Sequence, residues 1–386
     1  MKYLLLFFIS IFYISCKKDD TQSNLVTEEP VCIVPRSVND GDTVQGQYIV
    51  AYTPGTILPN MPAVDMAVTA KRTLEKNNIK SASLVASFRG GADGFVAKLS
   101  KDEVIRLKSD AGVSMIEPDR IIALGHCFTV VAPWLVTWNI HQVGFGDGTG
   151  KVAWVIDTGI DFDHPDLTVD KTRSKSFIQN VTSAADENGH GTHVAGIIGA
   201  KNNNFGVLGV ASGATLVSLR VLDKDGEGLL SSIVQALSYV ITNAKAGDAV
   251  NMSIGEDGVS EILDQQVLNT AAKGIFISIA AGNDGKAADL YSPSRVNGTN
   301  IYTVSAVDSS GNFASFSNFG NDVVDYAAPG VKILSTYLNK QYATMSGTSM
   351  AAPHVTGLLL LNGNNIKVSG KALNDPDGNA DGIAHN

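Results

Sequence analysis

The sequence predicts an α/β protein in two parts: a small α+β unit with the order βαββαβ, then a larger fold on a mainly parallel sheet. Three observations carry that expectation. Residues 47–121 mix four strand-like runs with two helical ones. From Lys151 onward, β-branched apolar runs recur with helical stretches between them. The chain has 386 residues, 44% of them apolar, which is enough for more than one core and too many for one small domain.

In the small unit, Gln47 to Tyr52 reads as a strand that Pro54-Gly55 ends. Met66 to Asn77 reads as a helix, Leu84 to Phe88 as a short strand, and Arg89 to Gly94 as a turn cluster. Phe95 to Leu99 alternates as a strand. Ser100-Lys101-Asp102-Glu103 is a capping box that opens a helix through Lys108: Ser100 accepts from an orphan N–H and Glu103 reaches back. Ser114 to Glu117 is the last strand. The order is that of a split βαβ sandwich, which by itself says nothing of function.

In the larger unit, Val152 to Ile156, Thr215 to Val221, Ala249 to Ser253, Ile275 to Ala280 and Tyr302 to Ala306 are apolar throughout or nearly so. Strands of that kind, spaced by helices, indicate a parallel sheet covered on both faces. Ligands of such sheets sit at the carboxyl ends of the strands.

Three polar segments fall at those ends. Val152 to Gly159 places Asp157 at the end of a buried strand. Asn188-Gly189-His190-Gly191-Thr192-His193 puts an imidazole at the start of a helix, and Ser346-Gly347-Thr348-Ser349-Met350 puts a hydroxyl at the start of another. A serine hydroxyl needs an adjacent base to act as a nucleophile, and histidine is the right base near neutral pH. A buried carboxylate fixes the imidazole tautomer and stabilises the imidazolium. Glycines beside His190 and Ser349 let backbone approach closely.

The segments D-T-G-I-D, H-G-T-H-V-A-G and G-T-S-M-A-A-P-H, in that order, resemble the subtilisin-like proteases, peptidase family S8. The resemblance runs from about Trp134 to Gly363. It implies a subtilisin-like three-layer fold and a serine-type endopeptidase with Asp157, His190 and Ser349 as triad. Asn283 matches the family's oxyanion-hole asparagine. Gly226, Glu227 and Gly228, with Ser253, Ile254 and Gly255, match the two edge segments that clamp an extended peptide. Gly282 and Tyr291-Ser292-Pro293 match walls of the pocket for the residue before the cut, with Asp284 at its mouth. No cofactor is expected for the chemistry. Asp166 and Lys201 to Val207 resemble a structural Ca²⁺ site, with side-chain oxygens from Asp166 and Asn203 and carbonyls from Lys201, Phe205 and Val207. The family's N-terminal side-chain ligand has no counterpart near Val130. Residues 46–125 resemble an inhibitory prodomain, cut off near Leu124–Val131, ahead of a catalytic domain over 130–386. The expected partners are polypeptide substrates and the chain's own prodomain, on a monomer.

The N-terminus reads as an export signal. Lys2 precedes an apolar run from Leu4 to Ile14, too short to span a bilayer as a helix. Ser15-Cys16 followed by Lys17-Lys18-Asp19-Asp20 resembles a bacterial lipoprotein processing site, with Tyr13 a departure from its pattern. Residues 1–16 are then signal, Cys16 carries lipid, and 17–45 form a polar tether. The expected address is the outer membrane or cell surface, with plain secretion as the alternative. Cys32 and Cys127 remain, and either a bridge or two buried thiols fits them. Net charge is −9 without a Lys/Arg-rich run, so nucleic acid is not expected.

Other readings stay in view. His193 and His354 read as packed scaffold. His190-x-x-His193 lacks the Glu of H-E-x-x-H, which disfavours a zinc hydrolase. Asp375-x-Asp377-Gly378-Asn379-x-Asp381 has the flavour of a calcium loop, but its glycine is misplaced and no closing Glu follows, so a polar turn is expected. The helix after Pro353 stops at Asn362-Gly363, leaving a short polar tail where the family has more structure. A non-catalytic binding lipoprotein on a protease scaffold is the competing class.

Overall fold

The computed structural model describes residues 43–57, 63–123, 129–130, 136–255 and 257–386. The signal segment, Cys16, most of the tether, Cys32, Cys127 and all of the expected cleavage region except 129–130 lie outside them.

The small unit has the expected order. Its elements are β1 (Thr43–Tyr52), α1 (Ala63–Lys76), β2 (Leu84–Phe88), β3 (Gly94–Lys98), α2 (Lys101–Lys108) and β4 (Val113–Ala123). β1 starts inside the stretch read as tether. The strands pair antiparallel in the order β4-β1-β3-β2. The capping box of α2 is formed: Glu103 N–H donates to Ser100 Oγ, and Ser100 N–H donates to Glu103 Oε2 at 2.7 Å.

The period-2 alternation of β1 serves two cores at once. Val50 and Tyr52 join Met66, Leu74 and Leu107 under the unit's own helices. Ile49 and Ala51 join Leu230, Ile233 and Ile262 of the larger unit. The small sheet is therefore buried on both faces, one of them by the domain that follows it. β4 runs further than the expected Ser114–Glu117, because it stays on β1 as far as Arg120 and its last three residues pair antiparallel with Glu227–Leu229. No local pattern announces a partner more than a hundred residues away.

The larger unit is built on a ten-stranded sheet. Its order runs Lys367–Lys371, Gly382–His385, Val324–Pro329, Ile301–Val307, Phe276–Ala280, Ala249–Met252, Val152–Asp157, Thr215–Arg220 and Thr168–Val169, with Lys175–Ser176 also on Thr215–Arg220. Every pair is parallel except the terminal hairpin. Ala153 and Val155 pack under the His190–Gly199 and Thr348–Asn362 helices, while Trp154 and Ile156 pack under Leu230–Asn243 and Glu261–Ala271. This is the three-layer arrangement. The long apolar runs are strands buried on both faces.

The expectation of a short polar tail needs correcting. Gly363, at φ +59°, ends the Thr348–Asn362 helix, and the chain returns as the Lys367–Lys371 and Gly382–His385 hairpin. Ile383 pairs with Ala327, so the tail adds strands to the main sheet. Residues 375–381 form the polar turn between them: Asp381 N–H donates to Asp375 Oδ2 at 3.0 Å, and Asn379 N–H to Asp377 Oδ1 at 3.0 Å.

Candidate active site

Asp157 ends the central strand and is wholly buried. Its Oδ1 and Oδ2 lie 2.8 and 3.0 Å from His190 Nδ1, so Nδ1 carries the proton and Nε2 is left as the acceptor. His190 opens its helix with 1% of its surface exposed, and its Nε2 is buried with no hydrogen-bond partner among the described residues. A buried imidazole nitrogen without a partner is costly in a structural role and suited to receiving a proton.

The local fold around His190 depends on close approach. A Cβ on Gly189, at φ +112°, would lie 2.1 Å from the Tyr337 ring; one on Gly191 would lie 2.1 Å from the Gly159 carbonyl oxygen. The sequence reading missed the residue that ties these segments together. The Asp186 carboxylate accepts from Thr158 Oγ (2.9 Å), Asn188 N–H (2.9 Å), Gly189 N–H (3.0 Å), Thr192 N–H (3.0 Å) and Thr192 Oγ (2.6 Å). It thus joins the residue after Asp157 to those flanking His190. Its signal was an Asp four residues ahead of the histidine, beside Asn-Gly.

Ser349 sits in the first turn of the Thr348–Asn362 helix, 4% exposed. Its Oγ donates to the Ser253 carbonyl at 3.1 Å, and Ser253 Oγ donates to the Ser349 carbonyl at 2.7 Å. The hydroxyl is therefore turned to Ser253 and not to His190, a looseness common before substrate binds. Asn283 Oδ1 accepts from Thr348 N–H at 2.8 Å and Thr348 Oγ at 3.1 Å, which leaves Nδ2 as its free donor end. A Cβ on Gly347 would stand 3.6 Å from that amide and 3.7 Å from Ser349 N, so both donors border the space the glycine leaves open. The arrangement can deprotonate a hydroxyl and stabilise an oxyanion.

The edge segments divide. Glu227 and Gly228 pair with Ala123 and Ile122 of β4, so the end of the small unit lies along this edge as an added strand. Ile122 is fully buried among Val221, Leu222, Leu230 and Ile233. Gly226, at φ +78°, turns the chain into that edge. Ser253, Ile254 and Gly255 follow the Ala249–Met252 strand as coil. Gly282, at φ +107°, has room for no Cβ: Asn318 Nδ2 would be 2.3 Å away. Tyr291 and Ser292 are buried.

At the expected calcium loop, buried Asp166 accepts from Asn203 Nδ2 (2.6 Å), Val207 N–H (2.9 Å) and Tyr342 OH (3.2 Å). Burial raises its pKa. The Lys201 ammonium is turned to the Pro165 carbonyl at 3.0 Å. Phe205 is exposed, its N–H on Asn203 Oδ1 at 3.0 Å. A buried carboxylate beside an amide is chemistry that suits a hard cation, yet here the Asp166 oxygens are taken by three hydrogen-bond donors. Among the described residues no three His, Cys, Asp or Glu side chains gather as a metal cluster.

His193 and His354 are packed scaffold. His193 Nε2 lies 2.9 and 3.1 Å from the Ile333 and Ala343 carbonyls, and burial pushes its pKa down to about 3. His354 Nδ1 and Nε2 are held by the Met350 carbonyl and Asn139 Nδ2, and burial pushes its pKa down to about 4.

Comparison with known proteins gives a consistent pattern. The model of the subtilase family, peptidase S8, matches residues 148–367, and that of the I9 peptidase inhibitors matches residues 47–124. The thermostable alkaline protease of Halalkalibacterium halodurans is 41% identical over 69% of this chain and 71% of its own length. An extracellular serine proteinase of a Thermus species is 35% identical over 83% of this chain and 80% of its own. A solved cold adapted subtilisin-like serine proteinase superposes with a TM-score of 0.58 at 33% identity, covering 65% of this chain and 98% of that one.

Proposed function

We propose that this chain, which belongs to the subtilase family and is a serine endopeptidase with an I9-type prodomain, cleaves peptide bonds through an acyl-enzyme on Ser349. What supports the assignment most is His190, with Nδ1 fixed on Asp157 and Nε2 buried and unpaired.

Ser349 Oγ turns from the Ser253 carbonyl and adds to the scissile carbonyl carbon, while its proton passes to His190 Nε2. Asp157 holds the Nδ1–H and stabilises the imidazolium. The new oxyanion accepts from Ser349 N–H and Asn283 Nδ2. The C–N bond then breaks and His190 returns the proton to the leaving amine. Water, deprotonated by His190, opens the ester and frees Ser349. Gly226 to Gly228 and Ser253 to Gly255 hold the peptide as an extended strand between them.

The chain is made as a precursor and cuts itself once folded. The antiparallel seat of Ile121 to Ala123 on Glu227 to Leu229 favours a cut a few residues downstream, within Leu124–Val131. Calcium bound by Asp166, Asn203 and the carbonyls of Lys201, Phe205 and Val207 stabilises the loop and takes no part in the chemistry. Export follows from residues 1–16, with a lipid on Cys16 holding the protein at a membrane surface. A Cys32–Cys127 bridge would keep the cut prodomain attached where the cut falls ahead of Cys127.

Intact-mass measurement tests this on the full chain extracted from membranes, beside its Ser349→Ala variant. We expect two fragments from the parent, joined until reduction, a lipid mass on the N-terminal one, and a whole variant chain. If both chains stay whole at neutral pH with calcium, self-processing is wrong. If the cut falls ahead of Cys127 and the parent's fragments part without reductant, the bridge is wrong, and an unmodified Cys16 rules out the lipid.

A further inference from the structure

The strand beside Asp157 ends in a buried charge that the chemistry does not use. Arg220 closes Thr215–Arg220, pairs in register with Asp157 and is 2% exposed. It is the only charged residue of that strand. A guanidinium is costly to bury unless its donors are met, and its rigid fork can reach several acceptors at once.

Here each arm of the fork goes to a different place. Nε donates to the Leu222 carbonyl at 3.3 Å, Nη1 to the Ala185 carbonyl at 2.8 Å, and Nη2 to Glu187 Oε2 at 2.5 Å. The Glu187 side chain is itself 62% exposed, so it meets the buried fork from the solvent side. The two segments joined in this way have different duties. Residues 185–189 lead directly into the His190 helix. Leu222 begins the hairpin whose return strand, Glu227–Leu229, receives Ile121 to Ala123. Leu222 bridges Gly228 across that hairpin, and Asp223 N–H donates to the Glu227 carbonyl at 2.8 Å. A second tie runs alongside the first. Asn188 Nδ2 donates to the Lys224 carbonyl at 3.1 Å, while its Oδ1 accepts from His190 N–H at 3.1 Å.

We propose that Arg220 is a positioning residue that couples occupancy of the Glu227–Leu229 edge to the setting of His190. The idea rests on the reading of Ser349 and His190 as an endopeptidase pair. A peptide strand laid on the edge fixes the hairpin, and the fork passes that order to Ala185 and Glu187, and so to the backbone that opens the His190 helix. Ordering of the histidine loop is then met by binding energy from remote residues of the substrate, before the transition state is reached. A substrate long enough to add a strand therefore gains in kcat and not only in KM.

The test compares two peptide anilides with the same residues next to the cut, one ending short of the edge and one long enough to lie along Glu227–Leu229. In the mature parent, kcat for the long substrate should exceed that for the short one by about tenfold. Arg220→Lys keeps the charge but places one ammonium where the fork met three acceptors, and should cut that advantage by about fivefold, mostly in kcat. A residue that only props up the fold would lower both substrates by the same factor. A parent without the advantage, equal losses on the two substrates, or a loss confined to KM overturns the proposal. If Arg220→Lys does not fold, Glu187→Ala decides, since that side chain lies largely in solvent: the advantage should fall by about threefold, and an unchanged advantage overturns the proposal. A parent that cuts neither substrate counts against the endopeptidase reading, and amide hydrogen exchange in the full Ser349→Ala chain then decides this one. The N–H groups of Gly189 to Thr192 are all held in hydrogen bonds there, and buried Ile122 seats the strand on the edge. Ile122→Ala should lower protection of those amides by about fivefold, and by less than about twofold when Glu187→Ala is also present. Equal loss in the two backgrounds overturns the proposal.

Discussion

At the scale of single residues, the site is defined by what cannot be added as much as by what is present. Gly189 stands between Asp186, which accepts its N–H, and the Tyr337 ring, which occupies the place of its side chain. Ala at this position meets both a φ of +112° and ring atoms 2.1 Å away. Gly189→Ala should cost about 1–3 kcal/mol in backbone strain alone, with displacement of Tyr337 added. Because the displaced segment carries His190, kcat/KM should fall at least tenfold. Gly150→Ala is the control, since Gly150 also has a positive φ but nothing within 4 Å of its Cβ position. Thermal melts and steady-state kinetics on both variants check this, and a Gly189→Ala enzyme as active as Gly150→Ala would show the close approach to be unnecessary. The reading of Asp157, His190, Ser349 and Asn283 was available from sequence because each lies in a motif whose glycines and neighbours are local. Asp186 was not, because beside its local bonds to Asn188, Gly189 and Thr192 its role is the tie to Thr158, which only the fold brings to it.

Among elements, legibility followed the range of the forces involved. The capping box at Ser100 and Glu103 and the apolar strands of the central sheet were readable, since both rest on contacts within a few residues or on periodicity. The true length of β4 was not, because its last three residues pair with Glu227–Leu229. The Lys201–Val207 loop lies between these cases. Its sequence suggests calcium, whereas its geometry already satisfies Asp166 with three hydrogen-bond donors. The two can be separated by experiment. If calcium holds the loop, removing it with EDTA should lower the melting temperature by several degrees. Each kcal/mol is worth about 2–4 °C for a domain of this size, and bound ligand stabilises in proportion to the logarithm of its concentration. Returning Ca²⁺ should restore the melt, and Asp166→Asn should be insensitive to EDTA. A parent whose melt ignores EDTA would mean that the hydrogen bonds suffice.

For the whole molecule, the decisive feature is that the main sheet is finished from its C-terminal end. Ile383 and Ala372 are buried with Val307 and Ala327, and Ser305 Oγ donates to Asp381 Oδ2 at 2.6 Å. Asn386 N–H donates to the Val143 carbonyl at 2.8 Å, and His385 Nδ1 lies 2.9 Å from the Gln142 carbonyl, so the last residues also fasten the helix that leads into the catalytic unit. A tail that merely trailed into solvent would be dispensable. This one covers the Val324–Pro329 strand, which would otherwise be an open sheet edge prone to pairing with other chains. Deleting residues 364–386 should therefore lower the yield of soluble precursor, lower its melting temperature, and slow self-processing through loss of folded chain, with the triad residues untouched. Ile383→Ala isolates the packing contribution, at a cost of about 2–5 kcal/mol for truncating a buried aliphatic side chain. Comparing soluble yield, melting temperature and intact mass for the parent and the two variants decides the matter. If the deleted chain melts and matures like the parent, the hairpin adds nothing to the sheet it joins. If Ile383→Ala reproduces most of the deletion's effect, the stabilisation lies in the small apolar cluster behind the hairpin. If it does not, the edge pairing and the hydrogen bonds of His385 and Asn386 carry it.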